Sequence, residues 1–156
     1  MLAQISASFP SITPSPVPAP RGEFPQVRKK SATRVLVVDD EPLVRWSIAE
    51  TLRAHGFEIV EACDAHSALL TVLDAATEPD AVLLDLKLPD SDDLTLLASI
   101  RRILPRVPVI LMTAFGTQEL LDEARQLGVF TVLDKPFELD ELDILIERAI
   151  ETPQPS

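Results

Sequence analysis

Five side chains able to do chemistry stand at the ends of short apolar runs: Asp39 and Asp40 after Val35–Val38, Asp85 after Val82–Leu84, Thr113 after Val109–Met112, and Lys135 after Val129–Leu133. Three carboxylates, one hydroxyl and one ammonium form a set with a definite use if they meet. At an effective dielectric near 20, like charges about 4 Å apart repel by about 4 kcal/mol, so acids gathered in one place require a cation between them. Oxygen-only donors suit Mg²⁺. A carboxylate can act as a nucleophile toward phosphorus while a metal, a lysine and a hydroxyl share the phosphoryl oxygens. Taken alone, the Asp39-Asp40 doublet before Pro42 reads equally well as acids complementing a helix N-terminus. The repetition of the pattern at other strand ends favours a site.

The elements that must position these groups follow from hydrophobic patterning. Arg34–Val38 and Asp80–Asp85 are short, uninterrupted aliphatic runs, as strands buried on both faces require, and Val107–Met112 and Val129–Leu133 continue the series. Phe57–Ala62 alternates with Glu58 and Glu61 and suits an edge strand. Between the runs lie helical stretches. Val44, Ile48 and Leu52 share a face that ends at Gly56, and Asp64 caps a second helix with Ala68, Leu69, Val72 and Leu73 turned inward. Leu94–Leu104 and Gln118–Leu127 follow, and the last helix points Leu139, Leu142, Leu145, Ile146 and Ala149 inward. Five strand–helix repeats with connections too long for hairpins predict an α/β, doubly wound parallel sheet, which brings every strand's C-terminal end to one edge.

Composition narrows the function classes. A single cysteine, Cys63, gives neither a disulfide nor a zinc-ligand spacing and is compatible with the reducing cytoplasm. No apolar block reaches the length of a membrane span. Residues 1–33 hold six prolines among Ser, Thr and Ala and are expected to be a disordered, extended tail. Arg21, Arg28, Lys29 and Lys30 outnumber the one acid, Glu23, of that tail, which carries +3, so of a net −11 for the chain the remainder carries −14. Such an acidic domain is a poor partner for nucleic acid. The domain is expected over 34–151, with 152–156 as a short disordered tail. No helix-turn-helix or ATPase motif follows Pro155, so no direct DNA binding by this chain is expected.

Val35-Leu36-Val37-Val38-Asp39-Asp40-Glu41-Pro42, Leu83-Leu84-Asp85-Leu86-Lys87-Leu88-Pro89-Asp90, Val109-Ile110-Leu111-Met112-Thr113-Ala114 and Lys135-Pro136-Phe137 resemble the response regulator receiver domain of two-component signalling. The resemblance covers residues 34–150 and implies a flavodoxin-like fold with strand order 2-1-3-4-5. It further implies Asp85 as phospho-acceptor in a phosphorelay and Mg²⁺ held by Asp40, Asp85 and the main-chain carbonyl of Lys87, with Asp39 assisting through water. Thr113 and Lys135 would contact the phosphoryl group, and the Lys135–Pro136 peptide would be cis. The implied partners are a histidine kinase or histidine phosphotransfer protein, docking near Leu43, Trp46 and Ser47, a downstream protein, and a second copy in a homodimer. The chain would be no enzyme toward other molecules, promoting only its own phosphorylation and dephosphorylation.

Two positions depart from the pattern. Where receivers usually carry an aromatic, three residues before the lysine, this chain has Val132. Phe130, two residues earlier, would share its face by strand alternation. Asp93 replaces the glycine common in the loop after the acceptor. These departures keep open an unphosphorylated, protein-binding module on the same fold. An aspartate-nucleophile phosphatase expects a second Asp two residues after the nucleophile, which neither acidic segment supplies alongside the other groups.

Overall fold

The computed structural model describes residues 31–155, so the expected proline-rich tail lies outside the described residues except for its last three. Five parallel strands, β1 Arg34–Val38, β2 Glu58–Ala62, β3 Ala81–Asp85, β4 Val109–Thr113 and β5 Thr131–Asp134, pair in the order β2-β1-β3-β4-β5. The helices between and after them are α1 Pro42–Ala54, α2 Ala65–Leu73, α3 Thr95–Ile103, α4 Gln118–Gln126 and α5 Leu142–Glu151. This is the doubly wound sheet that the patterning predicts.

Strand alternation explains why two helical layers are needed. Leu36, Val38, Val82, Leu84, Val109 and Leu111 point to one side, where Ala68, Val72, Leu97, Ile100 and Ala124 from α2, α3 and α4 cover them. Val35, Val37, Leu83, Ile110 and Met112 point to the other, against Ile48 and Leu52 of α1 and Leu142, Ile146 and Ala149 of α5. Both faces of β3 and β4, and of β1 after its partly exposed first residue Arg34, are therefore dry, which is why β3 and β4 hold no polar residue before their last position and Val35–Val38 hold none. β2 keeps Glu58 and Glu61 exposed, as an edge strand does.

Two glycines end their helices in the left-handed region. At Gly56 (φ 89°) the N–H bonds to the Arg53 carbonyl and the Phe57 N–H to that of Leu52. At Gly128 (φ 86°) the same pair of bonds runs from Gly128 to Arg125 and from Val129 to Ala124. Both are the double-bonded C-terminal closure that glycine alone adopts without steric cost.

The second closure corrects the expected fifth strand. Because the Val129 N–H closes α4, β5 begins at Thr131 rather than at 129, with the Phe130 N–H just before it already donating to the Val109 carbonyl of β4 at 2.8 Å. Phe130 precedes the strand and packs with Leu133 in the α1/α5 core, whereas Val132 packs against the α2–α4 core. The two do not share a face, and Phe130 does not stand in for the missing aromatic. Leu73, expected inward, closes α2 at 65% exposure, and Leu139 lies in a 3₁₀ turn, Leu139–Glu141, leading into α5. Residues 152–155 follow α5, and the Arg101 guanidinium donates to the Pro155 carbonyl at 3.1 Å. Among the described residues no helix is long and apolar enough to cross a membrane.

Candidate functional site

Parallel pairing carries the C-terminal residues of β1, β3 and β4 to one edge. Val38 lies opposite Leu84, Asp85 opposite Met112, and Thr113 opposite Asp134, so the next residue in each chain segment enters a common crevice. Asp39, Asp85 and Thr113 are buried there and Asp40 is exposed at its rim. One ligand oxygen from each of Asp39, Asp40 and Asp85 lies within 4.8 Å of the others. The convergence expected from the strand ends is thus present for all three acids.

Lys135 reaches the cluster from the end of β5. Its Nζ donates to Asp39 Oδ2 at 2.7 Å and to Asp85 Oδ2 at 3.2 Å. Its own backbone N–H donates to the Thr113 carbonyl at 2.8 Å, which ties the lysine to the end of β4. The Lys135–Pro136 peptide is cis, as the resemblance implied. The free oxygens are also held. Asp39 Oδ1 accepts from the Glu41 N–H at 2.9 Å, and Asp85 Oδ1 from the Lys87 N–H at 3.2 Å. Thr113 Oγ1 accepts from the Phe115 N–H at 3.2 Å, leaving the hydroxyl hydrogen available to an acceptor in the crevice.

Electrostatics oppose one another at this point. Burial pushes the Asp85 carboxyl above its usual range, the Asp39 charge adds to the effect, and Lys135 together with the Lys87 N–H counters it. Burial works against the Lys135 ammonium, yet its hydrogen bond to Asp39 and the charges of Asp85 and Asp39 outweigh burial and raise its pKa. One ammonium facing three carboxylates leaves two negative charges, the complement of a divalent cation. With hard oxygen donors gathered at this spacing, the residues fit Mg²⁺. The cluster opens into a cavity of about 650 Å³ whose wall includes Asp40, Lys87, Thr113 and Phe115.

Two supporting residues escaped sequence reasoning. Arg45, on α1, donates to the Asp39 carbonyl at 2.6 Å and is steadied by Glu61 of β2 at 3.3 Å, so it grips the peptide joining the two acids. Asp90 bonds to the start of α2, and no local pattern announces that contact. Asp93 occupies the glycine place and accepts the Thr95 N–H at 2.9 Å, opening α3.

Comparison with known proteins agrees with this architecture. The family model described as the response regulator receiver domain matches residues 35–147. The regulatory protein AtoC of Escherichia coli is 39% identical over 118 residues, which are 76% of this chain and 25% of that protein. The transcriptional regulatory protein PdtaR of Mycobacterium tuberculosis is 38% identical over 120 residues, 75% of this chain and 56% of that one. The chain therefore spans between a quarter and about half the length of these relatives. Among solved structures, a CheY-like receiver domain protein from Methanospirillum hungatei superposes with a TM-score of 0.74 at 25% identity, covering 78% of this chain and 95% of that one. The receiver domain of NtrX from Brucella abortus gives 0.68 at 38% identity, covering 76% and 98%. With the fold, the acidic crevice and the matched span in agreement, the chain belongs to the response regulator receiver domain family of two-component signalling.

Proposed function

We propose that the chain takes a phosphoryl group from a phosphohistidine donor onto Asp85 and signals through altered protein contacts. The observation that carries this reading is the meeting of Asp39, Asp40 and Asp85 with the Lys135 ammonium at one sheet edge. In the transfer, a carboxylate oxygen of Asp85 attacks phosphorus, the P–N bond to the donor imidazole breaks, and its electron pair returns to the ring nitrogen. Asp40, Asp85 and the main-chain carbonyl of Lys87 would hold Mg²⁺, with Asp39 assisting through water; when bound, the ion offsets charge on the phosphoryl oxygens. Lys135 leaves Asp85 to pair with a phosphoryl oxygen while keeping Asp39. The Thr113 hydroxyl donates to another. Its backbone carbonyl, bonded to the Lys135 N–H, makes the two donors move together.

A docking face lies beside the crevice. Leu43 and Trp46 of α1 are 73% and 57% exposed, and Leu43, Val44, Ser47 and Phe137 line an apolar groove of about 520 Å³ that reaches Lys135. That groove supports a helical, histidine-bearing kinase or phosphotransfer partner, and a cytoplasmic setting belongs to the same proposal. The chain acts on no other substrate; it promotes only the gain and loss of its own phosphoryl group. Val132, with Phe130 on the opposite face, favours a second reading as an unphosphorylated binding module.

Acetyl phosphate with Mg²⁺, followed by intact-mass measurement, separates the two. A single phosphoryl adduct that disappears in Asp85→Asn and in EDTA is the expected result. A parent chain left unmodified by acetyl phosphate and by beryllofluoride supports the binding module instead.

A further inference from the structure

The loop after Asp85 is pinned from outside the crevice. Leu88 and Ser91 exchange backbone hydrogen bonds, N–H to carbonyl at 2.9 Å in one direction and 3.3 Å in the other, which makes Pro89 and Asp90 the tip of a tight turn. Leu88 is buried beneath it. From that tip the Asp90 carboxylate reaches α2, where Oδ1 accepts the Ala65 N–H at 2.8 Å and Oδ2 accepts the His66 N–H at 3.1 Å. Those N–H groups open the helix and have no partner within it, and an anion is favoured there by the helix dipole.

The same helix start already has a carboxylate of its own. Asp64 accepts the Ser67 N–H at 2.7 Å, as a residue in the capping position does. The second carboxylate comes from a loop about two dozen positions away in sequence, so its bonds fasten that loop to a helix packed on the sheet. Between the fastened tip and Asp85 lie only Leu86, Lys87, Leu88 and Pro89, and the Lys87 N–H already donates to Asp85.

We propose that Asp90 is a positioning residue for the divalent-cation site, holding the Lys87 segment against Asp85 by clamping the turn to α2. The inference rests on the reading of the crevice as a Mg²⁺ site. Supports of this kind around metal ligands change affinity by about 10-fold or more when removed.

Calorimetric titration of the full chain with MgCl₂, alongside urea unfolding, tests it. Asp90→Ala should weaken Mg²⁺ binding about tenfold, and Asp90→Asn, which retains one acceptor oxygen, should fall between it and the parent. Asp64→Ala removes the other carboxylate from the same helix start; it should lower the urea midpoint and leave Mg²⁺ affinity at the parent value. Parent-like affinity in both Asp90 variants overturns the proposal, and so does an Asp64→Ala chain that loses as much affinity as Asp90→Ala. If Asp90→Ala does not fold, Asp90→Asn decides by the same criterion. A parent chain that takes up no Mg²⁺ overturns the site reading itself, an outcome seen before any substitution is made.

Discussion

Replacing Lys135 by Met keeps the stem and removes the positive charge that bonds the Asp39 and Asp85 carboxylates in the crevice. In the parent, that charge sits 2.7 Å from one carboxylate oxygen and 3.2 Å from another, with the lysine side chain only 15% exposed. Removing one partner of a buried ion pair costs about 3–5 kcal/mol. Water reaches part of this ammonium, so the low end, about 3 kcal/mol, is the expected loss in EDTA. For a domain of this size that corresponds to a fall in Tm of about 10 °C. The same change deepens the negative potential of the crevice, so Mg²⁺ should bind more tightly and return more stability to Lys135→Met than to the parent, each tenfold in affinity adding about 1.4 kcal/mol at saturating ion. Phosphoryl uptake from acetyl phosphate should nevertheless fall, because the lysine contact with the phosphoryl oxygen is gone. Thermal unfolding in EDTA and in MgCl₂, with intact-mass measurement of the adduct, reads all three quantities. A Lys135→Met chain as stable as the parent in EDTA, or one that gains no more from Mg²⁺, would refute the charge argument.

Other consequences are open to simpler assays. Lys87 and Asp85 line the same cavity, and trimming the lysine leaves more room for water beside Asp85, so Lys87→Ala should lose its phosphoryl group faster than the parent in a timed decay; an unchanged half-life would sink that role. Gly128→Ala places a methyl group 3.1 Å from the Arg101 guanidinium on a backbone at φ 86°, and the cost, about 1–2 kcal/mol, should appear in the urea midpoint. Hydrogen bonds from the Ser67 hydroxyl and N–H hold Asp64 below the usual carboxylate range. Its folded-state pKa is thus depressed, so its stabilising contribution is complete above the unfolded-state value and drains away as pH falls through the lower, folded one. Asp64→Ala should show a smaller loss of stability over that acidic interval, measured by urea midpoints at successive pH values. An unaltered acid profile would mean that the cap does not titrate as described.

The fold was legible wherever burial on two faces left a residue type no choice. Val35–Val38 and Val82–Leu84 are aliphatic because each side chain meets one of two dry layers, and the first polar residue afterwards marks the point at which the strand leaves both. That is why Asp39, Asp85 and Thr113 were found from pattern alone. Phe130 was misplaced because period-two alternation holds only inside a strand, and the Val129 N–H was already committed to closing α4. Leu73 was misplaced because the buried stripe of α2 runs through Ala65, Ala68 and Val72, and Leu73 stands about 100° round the helix from Val72. Asp90 and Arg45 were invisible for a different reason. Apart from Glu61 beside Arg45, their partners are backbone groups, which carry no residue signature, and for both residues the partners lie outside the element that carries them.

The central strand carries a further consequence. Leu83 and Leu84 are neighbours in β3, yet each is embedded in a different helical layer, and both are covalently upstream of Asp85. A tug on that carboxylate is therefore shared between front and back of the sheet rather than absorbed by one of them. Methyl resonances of Ile48 and Ile100, on opposite sides of the molecule, should report occupancy of the crevice in concert.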